Sequence, residues 1–432
     1  MSMMQLFGTS GIRHVVDSWL LQLSLKVGVA VGNIYGNVVV GCDTRTSSDA
    51  LKHAFIAGLL ASGAKCCDAG VLPTPTLAFA TKEFKAGVMI TASHNPPEYN
   101  GIKLVNPDGS AFDSRQRQQI EEMLRGDSIS VALWQEIKSS IIHNGAIDRH
   151  IERILKDFPN KFKVKVAVDC GCGAASVITP YLLRRLGCEV IGLNCHPSGY
   201  FPRDIEPTEA SLGNLMKATK ELGADLGIAH DGDGDRMMVI ADSGRFVPGD
   251  KLLRIVAQGR GATKIVTTID ASTLIDEMAF EVKRTRVGDP YVSEELKKGG
   301  DFGGEPSGSW IFPSISLCPD GIYAAAQIIA IASQQKLSQL ADSIPYYPIL
   351  RGSISSEGVI MSSLEQRLMA MEPLSVSNID GIKLNFEDGW LLIRASGTEP
   401  KIRLTAEAKS ETRAHQLYDS SISAIKNSMR EG

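Results

Sequence analysis

The chain has 432 residues, 43% of them hydrophobic and 22% charged, with a formal net charge of -4. That is enough material for three or four globular cores, and the acidic balance argues against nucleic acid or a membrane surface as the main partner. No apolar run reaches the roughly 20 residues a spanning helix needs, and no basic n-region with an apolar core opens the chain, so the expectation is a cytoplasmic protein.

The eight cysteines are scattered, and Cys170-Gly171-Cys172 has the wrong spacing for a zinc knuckle, so reduced, mostly buried thiols are expected. The opening Phe7-Gly8-Thr9-Ser10-Gly11-Ile12-Arg13 surrounds one arginine with glycines and hydroxyls. It reads either as an N-terminal turn or as a backbone that approaches a ligand, with Arg13 forked onto a phosphate. Asn37 to Asp43 is a buried strand, Thr44 to Asp49 caps a helix starting near Ala50, and a further strand carries Cys66 and Cys67. After the Pro73-Thr74-Pro75 turn and its helix, the apolar strand Ala86 to Ile90 runs into Thr91-Ala92-Ser93-His94-Asn95-Pro96.

The pattern recurs. Lys163 to Asp169 and Lys264 to Asp270 are strands that end in aspartate, each followed by small residues and a helix. Downstream of Asp43, Asp169 and Asp270 comes one polar, glycine-rich loop, holding Ser93, Asp231 and Glu305 respectively. Three related α/β units that each donate a loop to one site would give this order.

The loops carry different chemistry. In His230-Asp231-Gly232-Asp233-Gly234-Asp235-Arg236 three carboxylates alternate with other residues, which suits a hard cation such as Mg²⁺. An EF-hand shares the alternation but follows a helix and has a later glutamate that this loop lacks. A solvated acidic turn is the other reading. In Gly304-Glu305-Pro306-Ser307-Gly308-Ser309, Glu305 and Ser307 can grip vicinal sugar hydroxyls, or form a plain β-turn. Arg286 to Tyr291 is a weaker ligand loop centred on Gly288 and Asp289. After Pro345 the elements shorten into an α+β unit. There Arg394, Ser396, Gly397 and Thr398, with Arg403 beyond, make a phosphate nest or a buried arginine hairpin. The domains are expected at residues 1–144, 145–247, 248–344 and 345–432.

FGTSGIR, TASHNPPEYNGIK, DGDGDR, GEPSGS and RASGTEP stand in one order across the whole chain, and together they closely resemble the α-D-phosphohexomutase superfamily. The resemblance implies three related mixed α/β-sheet domains and a fourth, TATA-box-binding-protein-like α+β domain around a central cleft. It implies a phosphoserine at Ser93, one Mg²⁺ held there with Asp231, Asp233 and Asp235, and a sugar bisphosphate as activator. Arg13, His94, Lys103 and Arg236 match active-site positions, with Lys103 a general acid/base. Gly288, Asp289, Glu305, Ser307 and Ser309 match the sugar side, and the Arg394 to Thr398 loop with Arg403 the phosphate not being transferred. The implied reaction interconverts hexose 1- and 6-phosphates, with glucosamine the expected sugar. Mannose, glucose or pentose phosphates, a phosphoserine-forming phosphatase and a non-catalytic phosphosugar-binding protein are the competing readings. A monomer or homodimer with a phosphosugar as partner is expected. His14 stands where many members have glycine, and Ser309 where many have histidine.

Overall fold

The computed structural model describes residues 6–126, 128–395 and 401–429. Its first sheet is built on Asn37–Cys42, whose Val38, Val39 and Val40 are fully buried. A continuous β-branched run suits a central strand covered on both faces. Lys65–Val71 and Ala86–Ile90 flank it in parallel, Tyr99–Val105 then pairs antiparallel with Ala86–Ile90, and Ile12–Val15 and Ile141–Ile142 form the edges. Helix Ser18–Tyr35 starts at an Asp17 cap and stops at Gly36, whose φ of 66° is left-handed. It lies against Ser48–Ala61 so closely that a Cβ on Gly58 would stand 1.9 Å from the Leu25 carbonyl oxygen.

The same plan appears twice more. Lys165–Asp169 lies between parallel Glu189–Leu193 and Leu226–His230, and Met237–Ala241 returns antiparallel to the latter. Lys264–Thr268 lies between parallel Glu281–Thr285 and Phe302–Gly304, and Trp310–Ile311 returns antiparallel. Residues 91–98, 231–236 and 305–309 therefore fill one topological position, the bend between the last parallel strand and its antiparallel partner. The second and third units share one core, which runs through Leu182, Leu253, Ile322 and Ile329.

One expected element is cut short. Asp270 is followed by a single turn of 3₁₀ helix, Thr273–Ile275, and not by an α-helix. The backbone groups a helix would use internally are taken by side chains. Arg284 donates to the carbonyls of Thr268, Ala271 and Ser272, Asp250 accepts from Ser272 N, and Glu407 accepts from Thr273 N.

The last unit is a wholly antiparallel five-stranded sheet in the order Ile349–Ser355, Lys401–Ala408, Gly389–Ala395, Ile382–Phe386, Ser375–Ser377. Alternation along Gly389–Ala395 divides its side chains between two faces. Leu391 and Ile393 join the core with helices Met361–Met369 and Glu411–Ser428. Trp390 and Leu392 face the third unit, against its Ile269 and Val287, beside Ile349 of their own sheet. No helix among the described residues is long and apolar enough to cross a membrane.

Candidate active site

Ser93 is buried and has a φ of 53°, a left-handed conformation that a serine adopts only when its surroundings hold it there. The hold begins at the strand-end aspartate. Asp43 accepts the hydroxyls of Ser48 at 2.5 Å and Thr91 at 2.6 Å, and Thr91 Oγ1 accepts Ser93 N at 2.9 Å. Arg45, buried beside Asp43 at 3.1 Å, donates to the carbonyl oxygens of Ser93 (2.8 Å), Asn95 (2.6 Å), Pro96 (2.7 Å) and Tyr99 (2.9 Å). One guanidinium thus pins the whole loop. Sequence reasoning treated Thr44 to Asp49 as a helix cap and missed this. The available signal was an arginine two residues after the strand-end aspartate.

Ser93 Oγ donates to Asp231 Oδ2 at 2.9 Å and lies 3.5 Å from His94 Nδ1. Asp231, Asp233 and Asp235 are all buried, and one oxygen from each lies within 4.8 Å of the others. Burial and its two neighbours push Asp231 well above the usual carboxylate range. For Asp233 burial acts upward too, but Lys103 and the Thr74 hydroxyl outweigh it and hold the group down. Lys103 Nζ bridges Asp233 at 2.6 Å and Asp235 at 2.7 Å, and those charges overcome its burial and keep its proton on. Asp233 Oδ1 and Asp235 Oδ1 are buried without a hydrogen-bond partner. Orphaned buried carboxylate oxygens beside a serine oxygen are a donor set that fits a hard divalent cation.

Arg13 reaches Asn95 Oδ1 at 2.8 Å, and its Nε is buried without a partner. Burial first, then Arg236, Arg13 and Lys103, push His94 down to about 2, so its ring is neutral. Arg236 pairs with Glu206 at 2.5 Å. Glu206 was not foreseen from the sequence.

His94 and Arg236 line a cleft of about 790 Å³ that is walled by residues of all four units. Gly288, Asp289, Glu305, Ser307, Arg394 and Arg403 line it too. Glu305 accepts Gly288 N at 2.9 Å, and burial with the charges of Asp289 and Asp270 pushes it up to about 8. Ser307 Oγ is buried and unpartnered. Ser309 stands behind this loop and is not among the cleft-lining residues: it is buried, its carbonyl takes Glu305 N at 3.0 Å, and its backbone bridges to Arg236. In the cleft lining, Asp380 Oδ2 accepts Val287 N at 3.1 Å and lies 3.6 Å from Arg394. That contact links the last unit to the 286–289 loop. Ser396, Gly397 and Thr398 lie outside the described residues.

Three units of one topology, each lending a loop to a cleft closed by a fourth, with a serine set against three aspartates, define an enzyme that moves a phosphoryl group within a sugar phosphate. The phosphoglucomutase/phosphomannomutase domain families I, II, III and C-terminal match residues 4–129, 147–244, 248–347 and 359–422. The chain belongs to the phosphoglucomutase/phosphomannomutase family of the α-D-phosphohexomutase superfamily. It is 47% identical over 433 residues to a Methanocella arvoryzae protein named "Probable phosphoglucosamine mutase", with 98% of each chain covered. A Methanococcoides burtonii protein of the same name is 46% identical, with 99% of this chain and 100% of the relative covered. A crystal structure of a family protein from Burkholderia thailandensis matches with a TM-score of 0.86 at 26% identity, covering 98% of this chain and 97% of that one. The Aspergillus fumigatus N-acetylphosphoglucosamine mutase in complex with GlcNAc-6P and magnesium shares the fold, with a TM-score of 0.61 at 16% identity, covering 98% of this chain and 95% of that one.

Proposed function

We propose that this chain is a phosphoglucosamine mutase, exchanging the 1- and 6-phosphates of glucosamine through a phosphoserine at Ser93 and a sugar bisphosphate. The observation that carries the reading is Ser93 Oγ at 2.9 Å from Asp231 Oδ2, beside a cleft walled by four units. The shared name of the relatives supports the sugar. Phosphomannomutase or phosphoglucomutase activity would use the same chemistry.

Asp231, Asp233 and Asp235, with the serine oxygen, would hold one Mg²⁺, which when bound neutralises charge on the phosphoryl group being moved. A sugar hydroxyl oxygen attacks the phosphorus on Ser93; the new O–P bond forms as the P–Oγ bond breaks. His94, neutral and 3.5 Å from Ser93 Oγ, takes the hydroxyl proton. A phosphoryl dianion nearby raises its basicity. Lys103, kept protonated by Asp233 and Asp235, is the acid that returns a proton to the departing Ser93 oxygen. Glu305 and Ser307 hold ring hydroxyls while Arg394 and Arg403 grip the other phosphate. The bisphosphate then turns, and Ser93 Oγ attacks the second phosphorus by the reverse sequence.

The test is a coupled assay with the 1-phosphates of glucosamine, N-acetylglucosamine, mannose and glucose, plus Mg²⁺ and a bisphosphate activator. Glucosamine should lead in kcat/KM by at least about tenfold, the discrimination a few contacts supply. Free phosphate as the main product would sink the mutase reading. A higher kcat/KM for mannose or glucose would move the assignment to that sugar.

A further inference from the structure

In the first two units the strand-end aspartate is used up internally. Asp43 holds Arg45 at 3.1 Å and two hydroxyls; Asp169 holds Arg203 at 3.2 Å, Gly171 N at 2.7 Å and Asn194 at 3.2 Å. Asp270 ends the third unit's equivalent stretch and departs from this pattern. Ser272 stands where Arg45 follows Asp43. Among the described residues, its carboxylate has a single hydrogen bond, from Thr268 Oγ1 to Oδ1 at 2.6 Å, and no cation within ion-pair distance. The nearest candidate, Arg351, donates to the Asp270 carbonyl at 3.4 Å and directs its charge to Asp250.

Asp270 is nevertheless firmly placed. Lys383 Nζ binds the Ile269 carbonyl at 2.9 Å, just before it. Glu407 takes Thr273 N at 3.0 Å and Oγ1 at 2.6 Å, just after it. Both partners come from the last unit, so the loop is fastened at each end while Asp270 lines the cleft. Asp289 and Glu305 line the same wall, and Ser307 Oγ there is buried without a partner. A neutral sugar seated here would leave the Asp270 carboxylate without a cation. A cationic substituent would balance it.

We infer that Asp270 is a specificity-determining residue that binds the 2-ammonium group of a hexosamine phosphate. The inference rests on the hexosamine reading above and deepens it by naming the residue that tells an amine from a hydroxyl. A carboxylate accepts a hydrogen bond from either group, but only the ammonium adds charge to it. Because the ring must turn between the two transfers, Asp270 meets the amine in one of the two orientations, and the preference shows in one direction of the reaction.

The experiment compares wild type with Asp270→Asn on the 1- and 6-phosphates of glucosamine, N-acetylglucosamine and glucose. Asn keeps the acceptor for Thr268, so thermal unfolding should match wild type. Losing a charge-assisted bond should lower kcat/KM for glucosamine phosphate about ten- to hundredfold in one direction, with the two uncharged sugars within about threefold. Glu305→Gln, by contrast, should weaken all three alike. An equal loss for every sugar after Asp270→Asn, or an unchanged amine-to-hydroxyl ratio in both directions, overturns the assignment. A wild-type enzyme that does not turn over glucosamine phosphates overturns the functional reading itself, a failure visible before any variant is made.

Discussion

Arg45 offers a direct test of how Ser93, the proposed phosphoryl carrier, is held. Arg45→Met removes four guanidinium bonds to the carbonyls of Ser93, Asn95, Pro96 and Tyr99, and leaves Asp43 buried without its cation. Breaking one partner of a buried pair costs about 3 to 5 kcal/mol. The catalytic consequence is separate: a serine misplaced by about 1 Å loses roughly a hundredfold in turnover. Arg45→Lys restores the charge but not the fork, so it should recover part of the stability and little of the kcat. Melting temperature and the coupled mutase assay read the two effects apart. Arg203 plays the corresponding part in the second unit, binding Asp169 at 3.2 Å and the His230 carbonyl at 2.7 Å, immediately before the aspartate loop. Arg203→Met should therefore raise the Mg²⁺ needed for half activity about ten- to hundredfold and spare kcat at saturating metal. If Arg45→Met melts and turns over like wild type, the serine is not positioned this way. If Arg203→Met cuts kcat at saturating Mg²⁺ as deeply as Arg45→Met, the idea that each arginine serves its own loop fails.

Three further outcomes follow from the site. Ser93→Ala should abolish isomerisation while calorimetry still finds sugar phosphate binding within about threefold of wild type, because the gripping residues are untouched. Asp233→Asn removes an oxygen of the proposed Mg²⁺ site and the charged partner of both Thr74 and Lys103, so titration should show the Mg²⁺ requirement rising more than about a hundredfold along with a loss of activity. Glu305 has its carboxyl raised from 4.5 to about 8 in the fold. Between those values the folded state holds a proton that the unfolded state has lost, so stability falls as pH rises through that window. Glu305→Gln should flatten the fall, as melting temperatures taken across it would reveal. An unchanged slope would mean that another group is responsible.

Much of this was legible in the sequence because buried parallel strands are written as continuous apolar runs. Val38-Val39-Val40, Val166-Ala167-Val168 and Ile265-Val266 gave the central strands, and the loops after their partners gave Ser93 and the three aspartates. What stayed hidden were long-range polar anchors. Arg203 binds an aspartate 34 residues earlier, from a segment without periodicity, so no local pattern announces it. Lys383 and Glu407 reach from the last unit to the backbone at Ile269 and Thr273, contacts that only the assembled domains create. The missing α-helix after Asp270 has the same origin, since its backbone groups are claimed by Arg284, Asp250 and Glu407. Ser309 shows a different limit: its motif position suggested the sugar, but pairing of its backbone with Arg236 and Glu305 fixes it behind the loop.

The glycines of the aspartate loop explain why the site sits where the units meet. A Cβ on Gly232 would lie 2.6 Å from the Ser93 carbonyl oxygen, so only glycine lets the serine loop and the aspartate loop touch backbone to backbone. On the other side, a Cβ on Gly321 would lie 2.7 Å from the Gly234 carbonyl oxygen and 2.6 Å from that of Arg236. The third unit's helix Gly321–Ala332 therefore starts directly against the same loop. Gly234 itself has a φ of 72°, which turns the chain so that Asp233 and Asp235 present oxygens to one point. In this motif the acids supply charge, while Gly232 lets the serine loop close onto the aspartate loop, and Gly321 outside it lets the third unit's helix start against the same loop. Rigid placement of Ser93 by Arg45 and of Asp231 by this packing is what holds their 2.9 Å contact across two domains. The fourth unit is fastened to the third through Asp380, Lys383 and Glu407, and lines the cleft with Asp380, Arg394 and Arg403. The contact between Ser93 and Asp231 is thus built where backbones meet, and the wall of the cleft is built from side chains.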